Sequence, residues 1–177
     1  MEAAPQVPAL VLGRNTDVLA WNRAGSKLLA PHLPHDAVDR PAPPNMAAMV
    51  FLDAAVRGLY VNWRRKAQAV VGNLRISCAR HPEDESLARL VGSLTIRSTE
   101  FAALWQDHPI EPCAAKDVEL RHPELGTFTV LQQSLRSGAS PEQVLVVHTA
   151  PQGSAGADAL ALITHVQADT NNATTQL

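Results

Sequence analysis

The run from Lys116 to His122 places charged and hydrogen-bonding side chains at the border of an apolar surface. Strand alternation sets Lys116, Val118, Leu120 and His122 on one face and Asp117, Glu119 and Arg121 on the other. An apolar strand face that ends in a cation and an imidazole suits the polar head of a ligand whose tail lies over Val118 and Leu120. The same residues also suit an ordinary core, with Lys116 snorkelling outward and His122 filling a corner. Arg57, at the margin of a helical stripe that includes Trp63, offers a bidentate fork to a carboxylate or a solvated helix surface. Trp63, Phe101 and Trp105 fall on apolar stripes, where core packing and pocket lining are both open. Asn45, after Pro43-Pro44, either caps the next helix or points into a cavity.

Catalytic templates find no match. There is no glycine-rich phosphate loop, no nucleophile elbow and no His-Glu-x-x-His, and the seven histidines do not pair with carboxylates or cysteines at metal-ligand spacing. The expectation is a noncatalytic domain without a cofactor. A small enzyme using His122 as general base is the distant alternative.

The elements that must position these residues follow from periodicity. Residues 9–20 read as two short strands around the turn Gly-Arg-Asn-Thr-Asp. Trp21 follows, then Asn22 as N-cap of a short helix carrying Ala24, Leu28 and Leu29, which Pro31 stops. Pro31 to Asn45, rich in proline and without a period, reads as a long loop. Phe51 to Arg80 carries Val56, Tyr60, Trp63, Ala67, Val70 and Leu74 at helical spacing, with Arg64, Arg65, Lys66, Gln68 and Asn73 mostly on other faces. His81-Pro82 breaks that helix, and Asp84 caps a second one whose stripe runs from Leu87 through Ser98 to Trp105. Alternation then marks three strands, in Lys116–His122, Thr127–Leu135 and Val144–Thr149, separated by turns at Gly126 and Gly138. A last helix over about Ala155 to Val166 precedes a polar tail, expected to be disordered from Asp169. The predicted fold is α+β: a five-stranded antiparallel sheet with two long helices and a C-terminal helix, one domain over 1–168.

Composition narrows the class. A chain of 177 residues, 46% hydrophobic, holds one core. Polar residues interrupt every apolar run before it reaches membrane-spanning length, and Met1 to Pro8 has no basic n-region. Cys78 and Cys113 stand far apart, as incidental thiols do in a reducing compartment, so the expected location is the cytoplasm. With 15 Lys+Arg against 17 Asp+Glu there is no basic surplus for neutralising phosphates, so contact with DNA would need another segment.

The opening Val11-Leu-Gly-Arg-Asn-Thr-Asp-Val-Leu-Ala-Trp-Asn22 resembles the start of a PAS domain. Further pieces in order are Phe51-Leu-Asp with Arg57 and Trp63-Arg, Val71-Gly-Asn-Leu-Arg75, Pro82-Glu-Asp with Leu87, and Leu90-Val-Gly-Ser-Leu94. Ser98 with Phe101, Leu104-Trp105 with His108, Lys116 with His122-Pro123, and Thr149-Ala-Pro with Gly153-Ser154 complete the series. Together they look like the MmyB-like transcription-regulator ligand-binding domain. That resemblance implies a PAS-like sensor of helix-turn-helix regulators of the Xre type, in actinobacteria and related bacteria, taking a small apolar or amphipathic, fatty-acid-like ligand between sheet and helices. By position, Trp21, Asn22, Asn45, Phe51, Arg57, Trp63, Phe101, Trp105, His108, Lys116 and His122 match the family's characteristic residues and form the expected ligand-binding set.

The chain departs from the family pattern at Pro44-Asn45, at Asn62 before the tryptophan and at Ala115-Lys116, which bears on the charge network around the long helix. It opens where such a sensor opens, so any contact with DNA is expected through a helix-turn-helix domain absent from this chain. A homodimer without membrane attachment is the expected assembly, and a protein-interaction module with a core filled by its own side chains is the competing reading.

Overall fold

The computed structural model describes residues 7–107 and 116–173. The first strands form a hairpin, β1 (Ala9–Leu12) and β2 (Val18–Trp21), whose turn holds Thr16 at φ 64. β3 (Lys116–His122), β4 (Gly126–Ser137) and β5 (Ser140–Thr149) follow the helices. All pairings are antiparallel and the sheet order is β2-β1-β5-β4-β3, so the first and last strands of the sequence meet at its centre. This is the five-stranded α+β architecture that the alternation predicted.

Asn22 ties the hairpin to α1 (Arg23–Leu29). Its Oδ1 accepts from the amides of Gly25, at 2.7 Å, and Ala9, at 3.1 Å, and its Nδ2 donates to the Val7 carbonyl. One buried amide thereby caps a helix and fixes the first strand. Gly25 permits the close approach, since a Cβ there would lie 2.4 Å from the Ala9 carbonyl oxygen. The long loop that follows contains a short 3-10 helix, His35–Asp39, and the indole N–H of Trp21 pins it by donating to the His35 carbonyl.

Each of the two long helices read from periodicity is interrupted while keeping its apolar stripe. The first becomes α2 (Met46–Leu52), α3 (Ala54–Leu59) and α4 (Trp63–Arg80). Asp53 and Asn62 are extended or non-helical and turn their side chains onto the following amides, starting α3 and α4 afresh. The second divides at Ser98, whose Oγ accepts from the Phe101 amide, giving α5 (Glu85–Arg97) and α6 (Thr99–Gln106). The last helix, α7 (Ala155–Ala173), runs beyond the predicted end at Val166 and packs on α1 and β4.

Loop segments guard both edges of the sheet. Asp17 bridges Asn45 beside β2, with Val18 donating to the Pro44 carbonyl and Met46 to that of Thr16. Tyr60 bridges Leu120 beside β3, and Val61 donates to the Glu119 carbonyl.

Candidate functional site

Strand register sorts the inner face of the sheet into cross-strand rows. Leu120 opposite Phe128, and Val118 opposite Val130, form apolar rows at one end. The next row is polar: Lys116 on β3 stands opposite Gln132 on β4, and Gln132 opposite His148 on β5. Beyond it come Ser134, Val146 and Leu10, then Arg136, Val144 and Leu12. A polar belt therefore crosses three strands, with apolar rows on one side and mixed rows on the other.

Helix α4 lies over this face with two stripes. Ala67, Val71 and Leu74 are fully buried, and α4 packs against α2, α3, α5 and α6. Lys66, Val70, Asn73, Ser77 and Arg80, at i, i+4, i+7, i+11 and i+14, look toward the sheet. Between that stripe and the sheet is a cavity of about 450 Å³, floored by Leu10, Val144, Val146 and His148 and bounded by Leu29 and Met46. Arg14, Arg80, His81, Arg136 and Glu142 line its polar end. There Arg14 pairs with Asp84 at 2.9 Å, and His81 Nε2 lies 3.1 Å from Glu142. A second cavity of about 410 Å³ lies between α4 and β3, lined by Tyr60, Lys116 and Val118. Lys66, Val70, Asn73 and Gln132 line both, so the two cavities adjoin along the start of α4.

Lys66 occupies that junction. Its Nζ donates to Gln132 Oε1 at 3.3 Å and sits 4.9 Å from the centre of the Tyr60 ring. His148 lines the larger cavity and is 2% exposed. Burial, reinforced by the Lys66 charge and opposed by a hydrogen bond to the Pro8 carbonyl, drives its pKa down to about 3, so the ring is neutral. Among the described residues its Nδ1 has no hydrogen-bond partner. A buried neutral imidazole within the field of the Lys66 charge is thus set beside the apolar side chains of Val144, Val146 and Leu10.

Of the residues singled out by sequence, Lys116 lines the second cavity. His122 is buried, and its Nε2 lies 3.0 Å from the Lys27 carbonyl, joining β3 to α1. Arg57 stacks 3.8 Å over the Trp63 ring and pairs with Glu100 at 2.8 Å, on the outside of the helical layer. Phe51, Trp63, Phe101 and Trp105 form one aromatic chain, with Phe51 edge-on to both Trp63 and Phe101, and Trp105 stacked on Phe101. The Trp63 indole donates to the Val50 carbonyl, and Arg75 holds the Trp105 carbonyl. Trp21 and Asn22 anchor the hairpin, and Asn45 caps α2 through the Ala48 amide while binding Asp17. His108 lies outside the described residues. Lys66, Gln132 and His148 were not singled out; the available signal was one histidine in register with Val144 and Val146 in an otherwise apolar strand.

No helix among the described residues is long and apolar enough to cross a membrane, and they hold no cluster of His, Cys, Asp or Glu fit for a metal ion. No curated protein matches the chain. The family model of the MmyB-like transcription regulator ligand binding domain matches residues 1–163, spanning every strand and nearly all of the helical layer. With the five-stranded sheet and the cavity beneath α4, that match makes this chain a member of the MmyB-like transcription regulator ligand-binding domain family.

Proposed function

We propose that the domain senses a small amphipathic molecule of fatty-acid type, held in the cavity between α4 and the sheet. The supporting observation is that cavity: about 450 Å³, within the usual range for small-molecule sites, with an apolar floor, a polar belt and a charged end. An acyl chain fits along Leu10, Val144, Val146 and Val70, and a polar head finds hydrogen-bonding partners at Lys66 and Lys116 or at the arginine-lined end. The reading is noncatalytic and cytoplasmic.

Because α4 forms the roof, a ligand there acts on the helical layer before anything else. It would regulate transcription by favouring one packing of that layer, and through it one spacing of DNA-binding helix-turn-helix domains in a homodimer. Such control requires different affinities for the two packings. Native and denaturing mass spectrometry, followed by extraction, tests the reading. A stoichiometric acyl molecule released on denaturation supports it. A ligand-free mass with no thermal shift across a fatty-acid panel rejects it and turns attention to Leu19 and Leu135, the large apolar side chains exposed on the strands.

A further inference from the structure

The larger cavity carries cations at both ends of an apolar middle. Lys66 and Arg80 are the first and last residues of α4 on its lining. At the first end the half-buried Lys66 donates to Gln132, and at the other Arg80 stands with Arg14 and Arg136, all three exposed. Between them lie Leu10, Leu29, Met46, Val70, Val144 and Val146. Against these cations the lining offers one carboxylate, Glu142, which His81 and Arg14 already share at 3.1 and 3.7 Å. Asp84, the other acid near that end, pairs with Arg14. Among the described residues neither Lys66 nor Arg80 pairs with a carboxylate.

A ligand with one polar head suits this arrangement poorly. With its carboxylate at the arginines, a plain fatty acid lays its terminal methyl beside Lys66 and takes water from the ammonium without replacing it. Turned round, it carries the methyl out of the apolar middle into the charged mouth. A diamine meets cations at both ends. A chain with a carboxylate at each end satisfies both, one accepting from Lys66 Nζ and the other taking the planar fork of Arg80. The lengths agree as well. Lys66 and Arg80 stand fourteen residues apart on α4, which is about 21 Å at about 1.5 Å per residue. A zigzag of sixteen carbons with bonds of about 1.5 Å is about 19 Å long. We infer that the cavity is a site for α,ω-dicarboxylic acyl chains of about this length, held by Lys66 at one end and Arg80 at the other. This rests on the amphipathic-ligand reading above and gives its ligand a second polar end.

Titration calorimetry with hexadecanedioic acid, its monomethyl ester and palmitic acid, each below its critical micelle concentration, tests the inference. The diacid is expected to bind about tenfold or more tightly than palmitic acid, because a site with polar partners at both ends rejects the analogue lacking one of them. The monomethyl ester should lose most of that advantage. Diacids of about ten to eighteen carbons should show one best length, with affinity falling on either side, since two fixed ends measure the chain. In Lys66→Met, and separately in Arg80→Gln, the diacid should fall to within about twofold of palmitic acid. Arg80 is exposed, so Arg80→Gln should unfold in urea like the unaltered protein.

Palmitic acid binding as tightly as the diacid overturns the two-ended site and leaves the amphipathic-ligand reading standing. A diacid series that gains affinity with every added carbon does the same, because one end is then not held. A diacid preference that survives in Arg80→Gln or in Lys66→Met places a carboxylate elsewhere and rejects the assignment. Failure of every probe to bind overturns both readings.

Discussion

Lys66 Nζ and Gln132 Oε1, 3.3 Å apart, form a polar contact between α4 and β4 across the interior of the domain, where the two cavities adjoin. Replacing Lys66 with methionine keeps the length of the side chain and removes the donor. Lys66→Met should change stability by no more than about 1 kcal/mol, the net worth of one such hydrogen bond. It should weaken binding of an acyl ligand with a polar head about tenfold. Calorimetric titration beside a urea melt reads both quantities.

Arg57 supplies the contrast. It lines neither cavity and is held by Trp63 and Glu100 on an exposed surface. Arg57→Ala should leave ligand affinity within about twofold and cost less than about 1 kcal/mol, as exposed ion pairs do. A large loss of affinity in this variant would move the polar head of the ligand to the outer helical layer.

Asn22→Ala removes a helix cap and strips the Ala9 amide and the Val7 carbonyl of their partner in a buried position. Losing the cap and leaving a buried group unsatisfied should together cost about 2 to 4 kcal/mol in urea unfolding. Gly25→Ala, in the next turn, presses a Cβ onto the Ala9 carbonyl oxygen and should cost about 2 kcal/mol or more.

The neutral state of His148 predicts a pH dependence. Its pKa in the fold, about 3, lies below the 6.5 of the unfolded chain, so the unfolded state binds the extra proton as pH falls. The stabilisation is complete above pH 6.5 and is lost as acidity increases toward the folded pKa. Between about pH 6.5 and 5 the slope from this residue approaches 1.4 kcal/mol per pH unit. His148→Phe should flatten unfolding free energy against pH in that window, measured by urea titration at a series of pH values.

Legibility of the sequence followed what each side chain touches. Strands β3 to β5 were visible because alternation directly reflects one buried and one exposed face, and Asn22 was visible because a cap is local chemistry. The breaks at Asp53, Asn62 and Ser98 were hidden, since the apolar stripe continues across them and a capping side chain looks like any polar residue of a helix surface. A ligand site between sheet and helices was expected from the resemblance, but the residues that line the cavity were hidden for a related reason. Lys66 and Asn73 read as solvent-facing by polarity, yet polar residues also border an internal space, and periodicity cannot separate the two. The aromatic residues carried the clearest signature and build the helical layer, while the polar belt depends on register between strands distant in sequence.

The bridges Asp17–Asn45 and Tyr60–Leu120 also bear on how copies of the domain can associate. An unprotected outer strand invites another chain to extend the sheet by backbone hydrogen bonding, and here local segments already occupy part of both margins. Pairing margin to margin into one continuous ten-stranded sheet is therefore obstructed on both sides. Two copies that meet must do so through side chains, on the far surface of the sheet or on the helices, where the contact answers to changes in packing and not to strand register.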